Sequence, residues 1–391
     1  MEKSLGPRHE ESVSTLSNLG TVLRELGRYR ESEAAYRDAL AIVEANACPA
    51  EVKARIQHNL GHLYRAVGRL QESERLHLSA LETRRAVFGE EHEDVANALS
   101  NLADLYREQG RLDEGECAAR RSLAIYEKLL GPRHPVTATV INGLGMAAFL
   151  RGNNEEAERL YRRALEILRA AHGDRHPRVA AAINNLGETQ AARRRFRDAE
   201  GSFREALGML ESVGAVESPV GSTFLKNLAA VLFERRKLSE AERLYRRALA
   251  LDEAMLGPEH GKVALSRANL AAICMAAGRL EEAESLYRRS IATRERQAGA
   301  DSRELAISVS NLAEVCRRRN NFDEAEKLYR HAAELWERAL GPEDPELART
   351  YDRFALALRG MRQYAEAARL ETRALGVRVR IAVRNERKAA E

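Results

Sequence analysis

The strongest constraint in this sequence is an internal repeat. The tripeptide Asn-Leu-Gly or Asn-Leu-Ala occurs seven times, at intervals of 41, 42, 84, 42, 42 and 42 residues. It begins at Asn18, Asn59, Asn101, Asn185, Asn227, Asn269 and Asn311. Related triplets at Gly143 and Arg353 complete nine repeats of about 42 residues, from Leu5 to near Val377. A fixed period of this size is the signature of a solenoid, so we expect no other domain.

Each repeat has the pattern of a helical hairpin. In the fourth repeat, apolar residues recur at steps of three and four from Val136 to Ala148, which predicts an amphipathic first helix. The polar run 151–154 ends that pattern, and a second stripe begins at Ala157. Neither helix can bury its stripe alone, so neighbouring hairpins must stack. The sequence therefore predicts an all-α fold.

The second helices share a small residue and, four positions later, an aromatic ring. The small residues are Ala157, Ala199, Ala241, Ala283, Ala325 and Ala367, and the rings are Tyr36, Tyr161, Phe203, Tyr245, Tyr287 and Tyr329. We expect the small residues to allow close helix approach and the rings to be core residues. His77, Ala119 and Glu371 replace the ring in repeats two, three and nine, and Gly115 replaces the alanine. Looser packing is predicted in those repeats.

These motifs resemble the tetratricopeptide repeat. In the typical unit, Leu-Gly is followed twelve positions after the glycine by a small residue, then by tyrosine four positions on and by alanine three positions further. The 42-residue period, with Glu-Ala-Glu-x-Leu-Tyr-x-x-Ala-Leu and Leu-Gly-Pro-x-His-Pro, resembles the kinesin light chain type. The kinesin-binding heptad coiled coil is absent, so the resemblance concerns the repeats only. It implies a right-handed α-solenoid, with residues 5–377 forming one superhelix and residues 378–391 a basic helical extension or tail.

Composition excludes several classes of function. The net charge of +4 is too small for a dedicated nucleic-acid binder. The sequence has neither a membrane-spanning stretch nor a secretory leader, and its four cysteines form no Cys-x-x-Cys pair. Phosphate-binding, zinc-protease, hydrolase and dinucleotide motifs are also missing. We therefore expect a cytoplasmic, non-catalytic protein without cofactor or metal, and the excess of arginine over lysine favours a bacterial source.

Two groups of histidines are candidate metal ligands. His9, His92, His134, His176 and His260 recur in the inter-repeat loop, where successive hairpins lie too far apart for shared zinc bonds. A loop-capping role is therefore the favoured interpretation. His58 and His62 lie on one helix face, but no Asp, Glu or Cys at matched spacing supplies a third ligand. Ordinary polarity is favoured over metal binding there.

A binding groove is predicted on the exposed face of the first helices, because this face lines the concave groove in the family that the chain resembles. The asparagine that opens each tripeptide lies on that face, and its amide can pair with the backbone of an extended peptide. The alternative is structural, with each asparagine capping or bridging neighbouring first helices. Both interpretations stay open at this point.

Residues six positions after each asparagine also face the predicted groove. They are Arg24, Arg65, Arg107, Phe149, Ala191, Phe233, Met275, Arg317 and Arg359, with Arg318 and Arg353 adding charge near the C-terminal end. Basic residues thus flank an apolar middle, an arrangement that favours a partner site. Kinesin light chains bind peptides with an aromatic residue among acidic ones in such a groove. The expected partner is therefore a protein segment with acidic residues around an apolar anchor.

Two functions remain from different classes. The leading one is a protein-interaction scaffold, and the alternative is a regulatory or sensor subunit that controls a separate protease or NTPase through a change of superhelix shape. RNA binding is disfavoured because the groove has few aromatic stacking platforms. Self-association through an uncapped end repeat is also expected as a risk.

Overall fold

The computed structural model describes residues 11–46, 48–297, 303–341 and 343–390. The predicted start at Leu5 and the loop residue His9 lie outside the described residues. The chain divides into two compact units, Met1–Arg195 and Phe196–Glu391. The first unit contains α1 (Glu11–Glu25), α2 (Tyr29–Ala45), α3 (Ala50–Ala66), α4 (Leu70–Phe88), α5 (Glu93–Glu108), α6 (Leu112–Leu130), α7 (Pro135–Leu150), α8 (Asn154–His172) and α9 (Pro177–Ala192).

The second unit contains α10 (Phe196–Ser212), α11 (Pro219–Glu234), α12 (Leu238–Leu256), α13 (Gly261–Ala276), α14 (Leu280–Gln297), α15 (Arg303–Arg318), α16 (Phe322–Leu340), α17 (Pro345–Gly360) and α18 (Tyr364–Ala390). Throughout the described residues the fold is all-α, with eighteen helices. Odd-numbered helices are the first helices of the nine repeats. The predicted α-solenoid of helix-turn-helix repeats is therefore confirmed. Among the described helices, none is long and apolar enough to cross a membrane.

Within each unit, a second helix packs against its own first helix and against the first helix of the next repeat. Small residues at these contacts have no exposed surface, as at Ala157, Ala164 and Ala248. The rings at Tyr36, Tyr161, Phe203, Tyr245, Tyr287 and Tyr329 are all at least 94% buried. The prediction that these rings belong to the core is thus confirmed.

The inter-repeat histidines cap the first helices. In each of four loops, the histidine Nδ1 accepts a hydrogen bond from the backbone N–H two residues further on, at 3.1–3.3 Å. These histidines are His92, His134, His176 and His260. Because the first N–H groups of a helix have no partner within it, such a cap satisfies an otherwise open donor. The loop-capping interpretation is confirmed for these four.

In seven repeats, a glutamate on the second helix forms an ion pair with an arginine from the turn of the next repeat. The pairs in this glutamate clamp are Glu33–Arg69, Glu74–Arg111, Glu116–Arg151, Glu158–Arg193, Glu200–Arg235, Glu242–Arg279 and Glu284–Arg319. Glu158 is only 5% exposed, and Arg195 also binds it, at 2.9 Å. The repeat pattern alone does not indicate this role, because each pair joins residues of two neighbouring repeats through the geometry of a turn.

The run Arg193-Arg194-Arg195 shows how the turn builds the clamp. Arg194 has a φ of 59°, which is a left-handed backbone conformation. At the equivalent position of repeat four, glycine adopts this conformation, at Gly152. This turn directs both flanking arginines to the Glu158 carboxylate, at 2.7 and 2.9 Å. A triple-arginine run is therefore explained by contacts within the first unit.

Three ring replacements have three different outcomes. In repeat two, His77 is 1% exposed and its imidazole lies against Gly61, so the prediction of looser packing is wrong there. In repeat three, a cavity lies beside Ala119, as the prediction of looser packing requires. In repeat nine, Glu371 is exposed and pairs with Arg359 of α17 at 2.8 Å.

Helix α18 continues without interruption past the expected repeat end at Val377. Arg378 pairs with Asp352 of α17, and Arg384 lies 3.4 Å from Glu343. Two basic residues of the extension are thus engaged by the last repeat.

Glu158→Gln should destabilise the first unit. Burial alone would raise the pKa of Glu158, but hydrogen bonds and charges from Arg195, Arg162 and Arg193 hold that pKa below its ordinary 4.5. We expect a loss of about 1–3 kcal/mol in the free energy of unfolding at pH 7. The lower figure is favoured because Arg193 and Arg195 are each more than 30% exposed and Arg162 is 56% exposed.

The pH dependence gives the check. A carboxyl group with a lowered folded pKa contributes stability above its unfolded pKa and loses it as pH falls through the folded value. The free energies of unfolding of Glu158→Gln and the native chain, measured with urea, should therefore differ less at pH 3 than at pH 7. Glu155→Gln is the matched control, since Glu155 is exposed and pairs with the same Arg193. Equal stability of Glu158→Gln and the native chain at pH 7 would contradict the clamp.

Candidate functional site

The asparagine series has mixed surroundings in the first unit. Asn18 is exposed, whereas the Asn59 side chain donates to Ser17 Oγ at 3.4 Å. Asn185 donates to Asn142 Oδ1 at 3.1 Å, and Asn101 donates to Asn97 on its own helix. The contacts of Asn59 and Asn185 bridge neighbouring first helices. The structural alternative from the sequence therefore holds for these two, although each amide keeps further donor and acceptor capacity.

The expected basic end of the first unit is largely neutralised by its own carboxylates. Arg65 binds Glu108 through two hydrogen bonds of 2.9 and 2.6 Å, and Arg107 binds Asp104 at 2.9 Å. Arg24 lies 4.0 Å from Glu25. Glu108 and Asp104 lie on α5, the first helix that also carries Arg107. An acidic partner would have to compete with these carboxylates.

Phe149 is half-buried at the end of α7. It packs against the core cluster of Ala157, Tyr161 and Leu186. Part of this ring thus belongs to the core of the first unit, and only the remainder faces outward.

The second unit places two arginines on neutral acceptors. Arg318 donates from Nη1 to the Met275 carbonyl at 2.7 Å, and Arg353 donates to Asn311 Oδ1 at 3.3 Å. Both contacts join the first helices of neighbouring repeats. Because the Met275 carbonyl carries no charge, the Arg318 guanidinium keeps its capacity for an external carboxylate. The charge of Arg353 also acts on Glu314, where it helps to lower the pKa of that carboxyl.

The other two arginines of this series are paired with carboxylates. Arg317 forms two hydrogen bonds with Glu314, at 2.7 and 2.8 Å, and Tyr329 also donates to Glu314. Arg359 forms a similar pair with Glu371. These contacts fit structural roles more closely than the predicted partner contact.

Apolar side chains on the same first-helix face accompany Arg318. Phe233 and Met275 are half-buried, and Asn227 and Asn269 are half-buried in the helices that carry them. Leu265 is 42% exposed, and Ile307 occupies the equivalent position of the next repeat at 39%. Both lie four residues before the repeat asparagine, hence on the same helix face. We call Leu265, Met275, Ile307, Arg318 and Arg353 the second-unit face.

A cluster of three imidazoles lies in repeat two. The rings of His58 and His62 on α3 and His77 on α4 have centroids 4.6–5.1 Å apart and meet edge to face. The Nε2 atoms of His58 and His62 are 3.1 Å apart, so one donates to the other. Within the described residues, neither nitrogen of His77 has a hydrogen-bond partner.

The third side chain beside the pair is a histidine on the other helix, which the sequence interpretation did not include. The sequence does indicate this neighbour, because His77 occupies the position of the aromatic ring in repeat two. No group of three or more such side chains in the described residues has the geometry of a metal site.

The imidazoles of the cluster have strongly lowered pKa values. Burial is the main cause and lowers the pKa of His58 to about 2, of His62 to about 4 and of His77 to about 3. Positive charges of Arg24, Arg65 and Arg84 act in the same direction, while Asp104 partly opposes them at His62. All three rings are neutral at pH 7.

The family model for the tetratricopeptide repeat matches residues 1–45, 52–128, 118–170, 136–212, 221–296 and 303–378. Together these segments cover most of the sequence. The chain therefore belongs to the tetratricopeptide repeat family, as its motifs had indicated. No curated protein matches the sequence significantly.

Solved structures that are similar to this chain include three proteins, and the first two have TM-scores near 0.6. The apo form of the quorum sensor NprR from B. thuringiensis is 13% identical, with a TM-score of 0.60 over 94% of this chain and 97% of that one. A signal-transduction ATPase with a tetratricopeptide repeat sensor, from Pyrococcus horikoshii, is 14% identical, with a TM-score of 0.59 over 90% and 54%. Kinesin light chain repeats from Podosopora anserina are 22% identical, with a TM-score of 0.46 over 52% and 97%.

Replacing the buried histidine of repeat two should make the first unit less sensitive to acid. A folded pKa below the unfolded value of about 6.5 means that the unfolded state binds more protons, so stability falls as pH drops below 6.5. At pH 5 each such histidine lowers the free energy of unfolding by about 2 kcal/mol. His77→Tyr places the usual aromatic ring at this position. It should reduce the decrease in the free energy of unfolding between pH 7.5 and pH 5 by about 2 kcal/mol.

Urea unfolding at the two pH values measures this difference. Tyr161→His is the converse variant, because it places an imidazole at the same position of repeat four, beside Gly145. It should introduce a new loss of stability at pH 5. Identical pH profiles for the native chain and His77→Tyr would show that the cluster does not control acid stability.

Proposed function

We propose that the protein is a non-catalytic scaffold that binds an extended protein segment along the second-unit face. The observation that carries the proposal is the contact of Arg318 with the Met275 carbonyl, at 2.7 Å. It brings a guanidinium bound to a neutral acceptor beside an apolar side chain on the face where the family pattern predicts a groove. This combination supports a partner with an acidic residue next to a large apolar one.

The exposed apolar residues provide the second argument. Leu265 and Ile307 are each about 40% exposed in the same register of two neighbouring first helices. Apolar side chains aligned in this way lose water-exposed area when an extended segment lies across them. Asn227 and Asn269 would then hold the backbone of that segment. The Asn185 contact expected from the sequence belongs to the first unit and is proposed only for a segment bound there.

The sensor alternative has its own support. The quorum sensor NprR and the repeat sensor of the ATPase from Pyrococcus horikoshii share the fold across most of this chain. We retain as the second proposal a regulatory subunit that binds a ligand and controls a separate effector. Co-purification of a protease or NTPase whose activity depends on this chain would favour it over a passive scaffold.

Self-association through an end repeat remains a further prediction. Leu375 and Val379 of α18 are 58% and 52% exposed, one helical turn apart. Sedimentation of the native chain over a range of concentrations tests it, with Leu375→Glu as the variant that should remain monomeric.

Selection of random twelve-residue peptides on the immobilised full chain tests the scaffold. We expect enrichment of peptides that carry an acidic residue next to a large apolar residue. Leu265→Asp should weaken a selected peptide by about tenfold or more, because it replaces exposed apolar area with a charge that repels the acidic residue. Arg318→Ala should weaken it mainly at low salt, since an exposed ion pair is screened.

Met255→Asp is the matched control, because Met255 is 37% exposed on the second helix α12 rather than on the first-helix face. It should leave peptide affinity unchanged. Enrichment of no peptide, or equal effects of Leu265→Asp and Met255→Asp, would reject this face as the binding surface.

A further inference from the structure

Helix α1 exposes a face that the first helices of the other repeats bury. Thr15, Leu19 and Val22 lie on this face at steps of four and three residues, and all three are exposed, Leu19 at 47% and Val22 at 51%. In repeats two to nine, every residue at these three positions is at least 91% buried. The residues are Ile56, Leu60 and Leu63 in repeat two and Thr350, Phe354 and Ala357 in repeat nine. The repeat pattern thus makes this face of α1 a packing surface.

The other repeats show what covers this face. Each later first helix is contacted by the second helix of the preceding repeat within its unit. At the position of Leu19, part of that contact is an aromatic ring of the second helix. Leu186 shares a core cluster with Tyr161, and the Phe354 ring stacks on Tyr329 with centroids 5.8 Å apart. Helix α1 packs against α2 and α3, and the described residues hold no second helix before it.

The turn that follows α1 holds the cation of a glutamate clamp. Arg28 occupies the position of Arg69 in the next repeat. Arg69 binds Glu72 through Nε and Nη2, and its Nη1 donates to Glu33 of the preceding second helix at 2.9 Å. Arg28 binds Glu31 through the same two nitrogens, but in the described part of the chain no preceding second helix offers a carboxylate to its Nη1. The arrangement at Arg69 recurs at Arg111, with Glu114 and Glu74.

The apolar face and the arginine together define the helix that would complete the contact. In the second helices, the clamp glutamate directly follows the small residue, and the ring stands three positions after the glutamate, as in Ala157, Glu158 and Tyr161. A helix that places a ring against Leu19 and a carboxylate beside Arg28 must therefore carry Ala-Glu-x-x-Tyr or Ala-Glu-x-x-Phe. Arg69 shows that one guanidinium of this kind holds two carboxylates at once.

The second helix at the other end of the described chain does not have this pattern. In α18, Ala368 stands at the glutamate position and Glu371 at the ring position, where it pairs with Arg359. A second copy would therefore bring to α1 neither the carboxylate nor the ring. Residues 1–10 contain no alanine and no aromatic residue. The chemistry of the face favours a different protein as the occupant.

We propose that the face formed by Thr15, Leu19, Val22 and Arg28 docks an amphipathic helix of another protein, one that carries the Ala-Glu-x-x-Tyr pattern. The ring of that helix packs against Leu19, and its carboxylate accepts a hydrogen bond from Arg28 Nη1. The contact repeats between two chains the stacking that the first unit makes within itself. The inference concerns the first unit alone and does not depend on the scaffold proposal.

Titration of the full chain with a fluorescent peptide of the α8 sequence, residues 154–172, tests the proposal. A hydrocarbon bridge between positions 155 and 159, which are exposed in α8, keeps the peptide helical, because an isolated helix of this length is marginally stable. Leu19→Asp should weaken binding about tenfold or more, since it places a charge on the apolar contact. Val22→Asp should have the same effect. Both positions are exposed, so both variants should stay folded.

Leu129→Asp is the matched control. Leu129 has nearly the same exposure as Leu19, 45%, but lies on the second helix α6 of the same unit. This variant should leave the affinity of the peptide unchanged.

A double-mutant cycle isolates the clamp. The peptide with Glu158→Gln should bind the native chain about threefold more weakly at low salt, the size expected of a partly exposed ion pair. In Arg28→Ala the two peptides should bind with equal affinity, because the partner charge is absent.

Three outcomes would overturn the proposal. They are the absence of peptide binding, equal effects of Leu19→Asp and Leu129→Asp, and an unchanged ratio between the two peptides in Arg28→Ala. A native dimer that Leu19→Asp dissociates in sedimentation would make a second copy the occupant. Binding that begins only after removal of residues 1–10 would make that segment the occupant. Either result would show that the assignment to another protein is wrong.

Discussion

The structure depends on the packing of each second helix against the first helix of the next repeat within its unit. That contact buries one face of each first helix that follows a second helix, and small residues such as Ala157 and Ala248 bring the backbones close enough for it to form. The glutamate clamp adds an ion pair at the same contact, because the left-handed turn directs an arginine toward a buried carboxylate. With one face and the turn committed to stacking, the remaining face of the first helix is the surface available for recognition.

Much of this arrangement was predictable from the period alone. The spacing of Asn-Leu-Gly located the helices, and the ring at Tyr161 was correctly placed in the core. The capping role of His134 followed from its position in the loop. The clamp at Glu158 was not predictable in the same way, because Arg193 and Arg195 meet it only through the φ of 59° at Arg194. Sequence periodicity identifies which residues recur, whereas their partners depend on turn geometry.

The candidate site shows the same limit. Position within the repeat correctly placed Arg65, Arg107 and Arg317 on first helices, but charge alone overstated how available they are. Each is bound by a carboxylate of the same unit. Arg318 differs because its acceptor is a neutral carbonyl. The proposed recognition of an acidic segment needs such a guanidinium group, since an already paired arginine gains little by exchanging one carboxylate for another. The second-unit face therefore gives the better-supported site.

The three ring replacements explain why a departure from a repeat pattern has consequences only in context. When His77 replaces tyrosine, His58 and His62 surround it, so the space is filled and the cost appears as sensitivity to acid. When Glu371 replaces it, the side chain turns outward to Arg359 and no buried space is at issue. Ala119 has neither option, because a methyl group cannot fill the space of a ring and has no partner to reach. A buried position that loses volume without compensation leaves a cavity. In repeat three the volume of the ring is lost without such compensation, which is why a small cavity lies beside Ala119.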